Sequence, residues 1–349
     1  MNNLSQSAPF PVWQGGKLRC IARFEETHDS ATFVLTSDTP SCFEFLPGQF
    51  VTVGFEIDGV RHYRAYSISS SPLQSDSLSI TVKRVADGLV SNRLIDSFGV
   101  GDWLDALAPA GEFHLPAPAH IGPLVLLSAG SGITPMMSMT RWLLARQPDA
   151  IIYFIHSARS EQDIIFRDEL LAMARQHRNF RLELFLSKPE GSIRCHAGRL
   201  APERLTALVG NRKEGRFYLC GHPDYMQMVE DWYHSSKLPS DRLLKEKFSP
   251  DALTEEVGNG QMFQMSVPAF GMTADIADGQ TLLEVMETES LPIIAACRSG
   301  MCGSCKCKVT EGQVERLSTA TLTPEEVEAG YALACSTRAN SSVTIELNA

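Results

Sequence analysis

The chain has 349 residues, a net charge of −10, 44% hydrophobic and 21% charged residues. At roughly 150 residues per domain that is material for two or three domains, each long enough to bury a core. The composition is that of an ordinary folded protein, and no basic run exceeds two residues, so neither nucleic acid nor an anionic membrane surface is an expected partner.

The N-terminal stretch MNNLSQSAPFPVWQGG has neither a basic lead nor an apolar core, and so does not read as a secretion signal. Apolar stretches such as Ala150–Ile155 are too short to cross a bilayer, so no membrane insertion is expected. The nine cysteines are an odd number, and four of them crowd into one loop and its sequel, which is unlike an evenly spread disulfide framework. Clustered cysteines in a reducing compartment point to metal or redox chemistry, and a cytoplasmic location is expected.

Residues 17–116 read as short strands rich in β-branched and aromatic residues: Lys17–Glu26, Thr32–Ser37, Gln49–Ile57, His62–Ser69, Ser77–Val85 and Trp103–Leu107. Turn signals at Pro47-Gly48, Asp58-Gly59 and Ser71-Pro72 separate them, and Val90–Ser97 fits one helix. Six short antiparallel strands suggest a small barrel. Residues 121–248 change character. Strands at Pro123–Ser128, Ile151–His156, Arg181–Leu186, Arg216–Leu219 and Leu243–Lys247 alternate with helices at Thr134–Arg146, Ile164–Gln176 and Tyr225–Ser235. That alternation predicts an open, doubly wound parallel sheet.

Ser249–Gln261 is polar and acidic and reads as a linker. After it come two strands, a helix near Thr281–Glu287, a cysteine loop and further strands. The expected division is 14–116, 117–249, a linker at 250–261, and 262–349. Between Met262 and Ala349 stand eleven acidic and five basic residues, a net of −6. This acidity serves solubility or steers a redox partner.

The segment CRSGMCGSC gives C-x4-C-x2-C, and Cys335 follows Cys305 after 29 residues. With Cys297 and Cys302 this is the plant-type spacing of a 2Fe–2S cluster. Three thiolates from one short segment must converge while backbone N–H groups turn toward the cluster sulfurs. Gly300 and Gly303 allow that turn without a Cβ clash. A zinc ribbon would pair two C-x2-C knuckles, and only one is present. Cys307 reads as a strand core residue, and Cys20, Cys42 and Cys195 as isolated structural thiols.

Alternation along Arg64-Ala65-Tyr66-Ser67 puts Arg64 and Tyr66 on one strand face, where an Arg can pair with a pyrophosphate and a Tyr can stack on a flavin ring. The same alternation occurs on ordinary half-buried strands. Asp87-Gly88-Leu89-Val90-Ser91 leads into a helix whose free N–H groups suit a phosphate. Gly130-Ser131-Gly132-Ile133-Thr134-Pro135 is a strand, a glycine turn and a helix, as a dinucleotide pyrophosphate requires, although Pro135 stands where a third glycine would be. Leu219-Cys220-Gly221-His222-Pro223 ends another strand of the same sheet, on the edge where ligands bind in such folds. On its own, Cys220 reads as a small buried hydrophobe.

These segments in this order resemble the ferredoxin–NADP reductase family, specifically members with a C-terminal plant-type ferredoxin domain. The resemblance covers nearly all of 17–349 and rests on RAYS at Arg64–Ser67, GSGITPMMSM at Gly130–Met139, CGHPDYM at Cys220–Met226 and the cysteine loop. It implies a flavin-binding barrel, a nucleotide-binding parallel-sheet domain and a β-grasp ferredoxin domain. It also implies that Arg64, Tyr66 and Ser67 contact FAD, and that Val82, Gly88, Val90 and Ser91 line its pyrophosphate. Gly132, Thr134 and Pro135 would meet the nicotinamide nucleotide. Cys220 would lie beside the nicotinamide, Gly221 would give close approach, and Phe248 would lie near the flavin.

MSMTRWL, KEKF, PIIAACRSGMCGSCKCKV and LTPEEVEAGYALACS are similar to the NADH-dependent reductases that serve the hybrid-cluster protein. Reductases of Rieske-type oxygenases acting on quaternary amines look similar in the same places. The implied path runs from NAD(P)H through FAD and the cluster to a partner redox protein. A nicotinamide gives up two electrons as hydride, a cluster takes one at a time, and flavin converts between them. Arg159 fits either a reader of the NADPH 2′-phosphate or a ribose or surface contact. SARSEQDIIF resembles NADH users, so NADH is the expected donor and NADPH the lesser one.

Overall fold

The computed structural model describes residues 10–57, 59–116, 122–210, 214–248, 261–296, 298, 300, 302–319 and 321–347. The described chain divides into two compact units, 10–55 with 66–248, and 56–65 with 261–347. The expected linker lies outside the described residues apart from Gln261.

An antiparallel sheet opens the chain, all in the first unit save residues 56–65, and is built from β1 (Gly15–Thr27), β2 (Ser30–Ser37), β3 (Phe50–Ile57), β4 (Val60–Ser67), β5 (Leu78–Lys83) and β6 (Trp103–Leu107), with helix α1 (Leu89–Ser97) before the last strand. The strand order is β4-β3-β6-β1-β2-β5. Strand alternation sends Ala31, Phe33 and Leu35 inward opposite Val82, Ile80 and Leu78, all fully buried. After β4 the chain crosses the open edge. The Ile68 N–H bonds the Gln49 carbonyl at 2.8 Å, the Ser69 N–H bonds the Ser79 carbonyl at 2.8 Å, and Ile68 pairs with Ile80. Those bonds join the two ends of the strand order and close the sheet into a barrel.

The second sheet of this unit contains β7 (Leu124–Ala129), α2 (Ile133–Arg146), β8 (Ile152–Ala158), α3 (Arg167–Gln176), β9 (Phe180–Leu186), β10 (His196–Ala197), α4 (Pro202–Val209), β11 (Arg216–Cys220), α5 (Pro223–Ser235) and β12 (Leu243–Glu246). Its order is β10-β9-β8-β7-β11-β12, with every pairing parallel. Leu124 and Leu126 of β7 pack into one hydrophobic layer and Val125 and Leu127 into the other, so helices cover both faces. The order reverses between β7 and β11. That switch point leaves a crevice at the carboxyl ends of these two strands.

Two features depart from the sequence reading. The helix expected over Ile164–Gln176 begins only at Arg167, because Phe166 is held in the left-handed region at φ +59. Its N–H bonds the Glu26 carboxylate at 3.2 Å and its ring lies under the Arg141 guanidinium at 4.8 Å, both long-range contacts. In addition, α4 and the two-residue β10 were not anticipated.

The second unit carries β13 (Met262–Val267), β14 (Met272–Ala277), α6 (Leu282–Thr288), β15 (Lys306–Glu311), β16 (Val314–Arg316), α7 (Pro324–Glu328), β17 (Tyr331–Leu333), β18 (Thr337–Ala339) and β19 (Val343–Glu346). Its sheet order is β14-β13-β19-β15-β17, with β13 and β19 parallel and a separate β16–β18 ribbon. A capping box between Thr281 and Glu284 starts α6, and its Leu282, Leu283, Val285 and Met286 join Met265, Val267 and Ile276 in the core. This is the mixed sheet with a packed helix that the resemblance implied.

Phe33 fills the barrel interior, fully buried, with its ring 5.5 Å from that of Phe98. Phe33→Ala should lower barrel stability by about 3–5 kcal/mol, read as an earlier flavin-release transition in urea. An unchanged midpoint would show that strand pairing, and not interior packing, holds the barrel.

Candidate functional site

Gly130-Ser131-Gly132 forms one tight turn between β7 and α2, with Gly130 at φ +54. Gly132 is the closest approach in the crevice. A Cβ there would sit 2.2 Å from the Cys220 carbonyl oxygen and 2.8 Å from the Gly221 nitrogen. A Cβ on Gly221 would meet the Tyr225 ring at 2.9 Å. Only glycine lets the start of α2 lie against the end of β11. This 14-residue helix turns the positive end of its dipole toward the crevice, which favours an anion there. Pro135 costs nothing here, because a first-turn residue does not need its N–H for the helix ladder. The Thr134 hydroxyl donates to the Ser131 carbonyl at 3.1 Å and steadies the turn.

Behind this turn lie polar groups with specific states. The Ser128 hydroxyl meets His156 Nδ1 at 2.9 Å, and burial pushes the His156 pKa down to about 3, so the imidazole is neutral. The Tyr225 hydroxyl is buried against that of Ser157, and burial pushes the Tyr225 phenol well above its usual range.

Cys220 is fully buried at the end of β11, in register with Ser128 on one side and Glu246 on the other. Burial first, and the Glu246 carboxylate second, push its thiol well above the usual range, so it stays protonated. Glu246 in turn accepts a hydrogen bond from the Ser67 hydroxyl of β4 at 3.1 Å. Thus Ser67, Cys220 and Glu246 converge from barrel and sheet. The sequence reading missed Glu246. The only signal was a carboxylate two residues before Phe248. Phe248 itself is 44% exposed just after β12, and Arg159 is exposed just after β8 with its carbonyl accepting the Lys188 N–H at 2.7 Å.

On the barrel, Arg64 and Tyr66 alternate along β4 as expected, both half-buried, with Arg64 donating to the Tyr63 carbonyl at 2.7 Å. Gly88 precedes α1, and the Ser91 hydroxyl accepts from the Val85 N–H and donates to the Gly88 carbonyl, each at 3.3 Å. This ties the helix start to the turn before it. Val82 and Val90 bury their side chains in the interior, so any contact they make with a ligand comes from their backbone.

In the second unit, Cys305 and Cys335 are buried with their sulfurs 3.2 Å apart. The Ala334 N–H bonds the Cys305 carbonyl at 3.0 Å and so brings the two segments together. The Gly300 N–H points at Cys335 Sγ from 3.2 Å, and the Cys335 N–H at Cys305 Sγ from 3.5 Å. Half-buried Cys302 has its sulfur 2.9 Å from the Ser304 hydroxyl. Gly300 and Gly303 both take positive φ, +72 and +71, as the spacing led us to expect. A Cβ on Gly300 would strike Ser336 Oγ at 2.5 Å. Arg298 pairs with Glu287 of α6 and anchors the loop. Cys297 lies outside the described residues. Converging buried thiols with inward N–H groups fit an iron–sulfur cluster. Cys307 faces the core, its thiol pushed up to about 12 by burial, and is the strand residue expected.

The two-layer crevice beside a barrel, with a cysteine-loop unit following, defines a flavin- and nucleotide-dependent redox protein. Family models match along the chain as an oxidoreductase FAD-binding domain at 17–115, an oxidoreductase NAD-binding domain at 126–231 and a 2Fe-2S iron-sulfur cluster binding domain at 268–340. The glycine betaine monooxygenase reductase subunit of Chromohalobacter salexigens is 35% identical over 357 residues, covering 96% of each chain. NADH oxidoreductase HCR of Escherichia coli is 37% identical over 314 residues, covering 86% of this chain and 92% of that one. Phthalate dioxygenase reductase has the same fold, with a TM-score of 0.62, 23% identity and coverage of 95% and 98%. The chain belongs to the ferredoxin–NADP reductase family of FAD-dependent, NAD(P)H-dependent reductases that carry a 2Fe–2S domain. No helix among the described residues is long and apolar enough to cross a membrane.

Gly132→Ala should cut NAD(P)H-dependent flavin reduction at least tenfold in kcat/KM while flavin content holds, because the Cys220 backbone must yield to the new methyl. Unchanged kcat/KM in stopped-flow would show that the crevice is not the nucleotide site.

Proposed function

We propose that this protein draws electrons from NADH and delivers them singly to a hybrid-cluster protein. The observation that supports the NADH-to-flavin part of the reading is the glycine-tight junction of α2 on β11 beside the Ser67–Glu246 contact, where the segments we assign to nucleotide and flavin meet. When bound, FAD takes two electrons as hydride and gives them up one at a time, and the cluster carries them singly.

The chain's own residues do the holding. The α2 N-terminus, with Gly130, Gly132, Thr134 and Pro135, receives the nucleotide pyrophosphate, and Gly221 admits the nicotinamide beside Cys220. Arg64, Tyr66 and Ser67, with the backbone of Val82 and the Gly88–Ser91 helix start, hold FAD, and Phe248 covers the flavin. Protonated Cys220 and the Ser67-bound Glu246 exclude water and fix the nicotinamide ring by shape and polarity. Hydride transfer needs no general base, so these are orienting groups. Arg159, exposed after β8, contacts the ribose of NADH. Cys297, Cys302, Cys305 and Cys335 ligate the cluster. The domains run 14–116, 117–249 and 262–349, joined by the 250–261 linker. A cytoplasmic location belongs to the same reading, because clustered thiols need a reducing compartment.

The hybrid-cluster reading rests on the segment likenesses and on the 37% identity to NADH oxidoreductase HCR. A second reading, the reductase of an oxygenase acting on a quaternary amine, draws on the 96% coverage shared with a glycine betaine monooxygenase reductase subunit. Anaerobically reduced protein mixed with each partner in turn separates them by the rate of cluster reoxidation. Reoxidation at least tenfold faster by the hybrid-cluster protein is expected, with NADH favoured over NADPH at least tenfold in kcat/KM. Faster reoxidation by the oxygenase component would transfer the function to the second reading, and a clear NADPH preference would overturn the choice of donor.

A further inference from the structure

Helix α2 starts in the nucleotide crevice but is fastened to the barrel further along. Ser138 and Arg141 lie three residues apart, hence on one face of the helix. The buried Ser138 hydroxyl donates to the Ser70 carbonyl at 2.7 Å, and Arg141 Nη1 donates to the Ser69 carbonyl at 2.5 Å. Ser69 and Ser70 follow β4, the strand of Arg64, Tyr66 and Ser67, after Ile68. The other edge of the same guanidinium makes a two-pronged bond to Glu169 of α3, at 2.9 and 2.6 Å. One planar cation thus ties two helices of the nucleotide sheet to the barrel, a task that suits Arg better than Lys.

A buried polar chain completes a ring. Glu26 accepts the Thr32 hydroxyl at 2.6 Å, Thr32 meets Thr81 at 2.8 Å, and Thr81 meets Ser69 at 2.8 Å. Each hydroxyl has one proton, so with Thr32 donating to Glu26, Thr81 donates to Thr32, and the Ser69 proton is shared between Thr81 Oγ1 and the Ser79 carbonyl at 3.2 Å. The other Glu26 oxygen accepts the Phe166 N–H at 3.2 Å, and the Phe166 ring lies beneath Arg141. The path therefore returns to Arg141, which bonds the Ser69 backbone. Thr81 stands next to Val82 on β5. Satisfied networks of this kind have one good arrangement and resist sliding.

We propose that Arg141, closed into this ring with Glu26, is a positioning residue that sets the spacing between the nucleotide-binding end of α2 and the flavin-binding strand. Nine residues, or about 13 Å of rigid helix, separate Gly132 from Arg141. A shift of the anchored end is therefore passed to the crevice, where about 1 Å of misplacement costs on the order of a hundredfold in rate. The inference rests on the proposed hydride path, and it adds residues that touch neither nucleotide nor flavin.

Stopped-flow reduction of the flavin in the holoenzyme tests it, with wild type, Arg141→Ala, Arg141→Lys and Glu26→Gln measured over a range of NADH concentrations. The expected result for Arg141→Ala is a limiting rate at least tenfold lower with the half-saturating NADH within twofold of wild type. The long-wavelength absorbance of the flavin–nicotinamide complex should weaken, and flavin and iron content should stay the same. Glu26→Gln should move the rate the same way by a smaller factor, and Arg141→Lys should recover part of it. A limiting rate within twofold of wild type, or a fall that merely tracks lost flavin, overturns the proposal. If Arg141→Ala retains no flavin, Arg141→Lys decides by the same comparison. Failure of NADH to reduce the wild-type flavin would instead sink the proposed donor.

Discussion

The start of α2 can lie against the end of β11 only because position 132 has no side chain. That contact fixes where the helix points its positive end and how near it comes to Cys220. Its neighbours are arranged around it. The sheet order reverses at β7 and β11, so two loops meet there. Glu246 arrives on β12 in register with Cys220, and Ser67 arrives from the barrel to bond it. Burial keeps Cys220 protonated and His156 neutral, and the carboxylate beside them, Glu246, is held by the Ser67 hydroxyl.

The second unit meets a different constraint. A cluster's charge is stabilised by N–H groups turned toward sulfur, and the positive-φ positions at Arg298, Gly300 and Gly303 turn the loop that way. Ser318, whose hydroxyl donates to the Gly300 carbonyl, and the Arg298–Glu287 pair hold the loop from outside. The buried pair Cys305 and Cys335 comes from segments joined by a strand pairing, so fold and ligand set form together.

Much of this was legible in the sequence because the signals were local. Strand alternation at Thr32–Ser37 and Ser77–Val85, the glycine turn after an apolar run and the cysteine spacing each depend on residues a few positions apart. What escaped was set by partners far along the chain. Phe166 turns left-handed because Glu26 and Arg141 hold it, so a helix reading that began at Ile164 ran three residues too long at its start. Glu246 gains its place from β12 register and from Ser67, 179 positions away. The barrel-to-sheet ring through Arg141 is closed by such contacts, from Ser138 and Arg141 to the Ser70 and Ser69 carbonyls 68 and 72 positions away. By contrast, α4 did have a local signature, Pro202 at its first position and Gly210 after its end, and was overlooked.

On this reading a flavin site and an iron–sulfur site act in series, each with its own set of holding residues. Cys305→Ser tests it directly. The variant should lose the cluster's visible absorbance and electron delivery to any partner protein, while NADH-driven ferricyanide reduction by the flavin stays within about twofold of wild type. Loss of flavin reduction together with the cluster, or partner reduction that survives without it, would contradict the series arrangement.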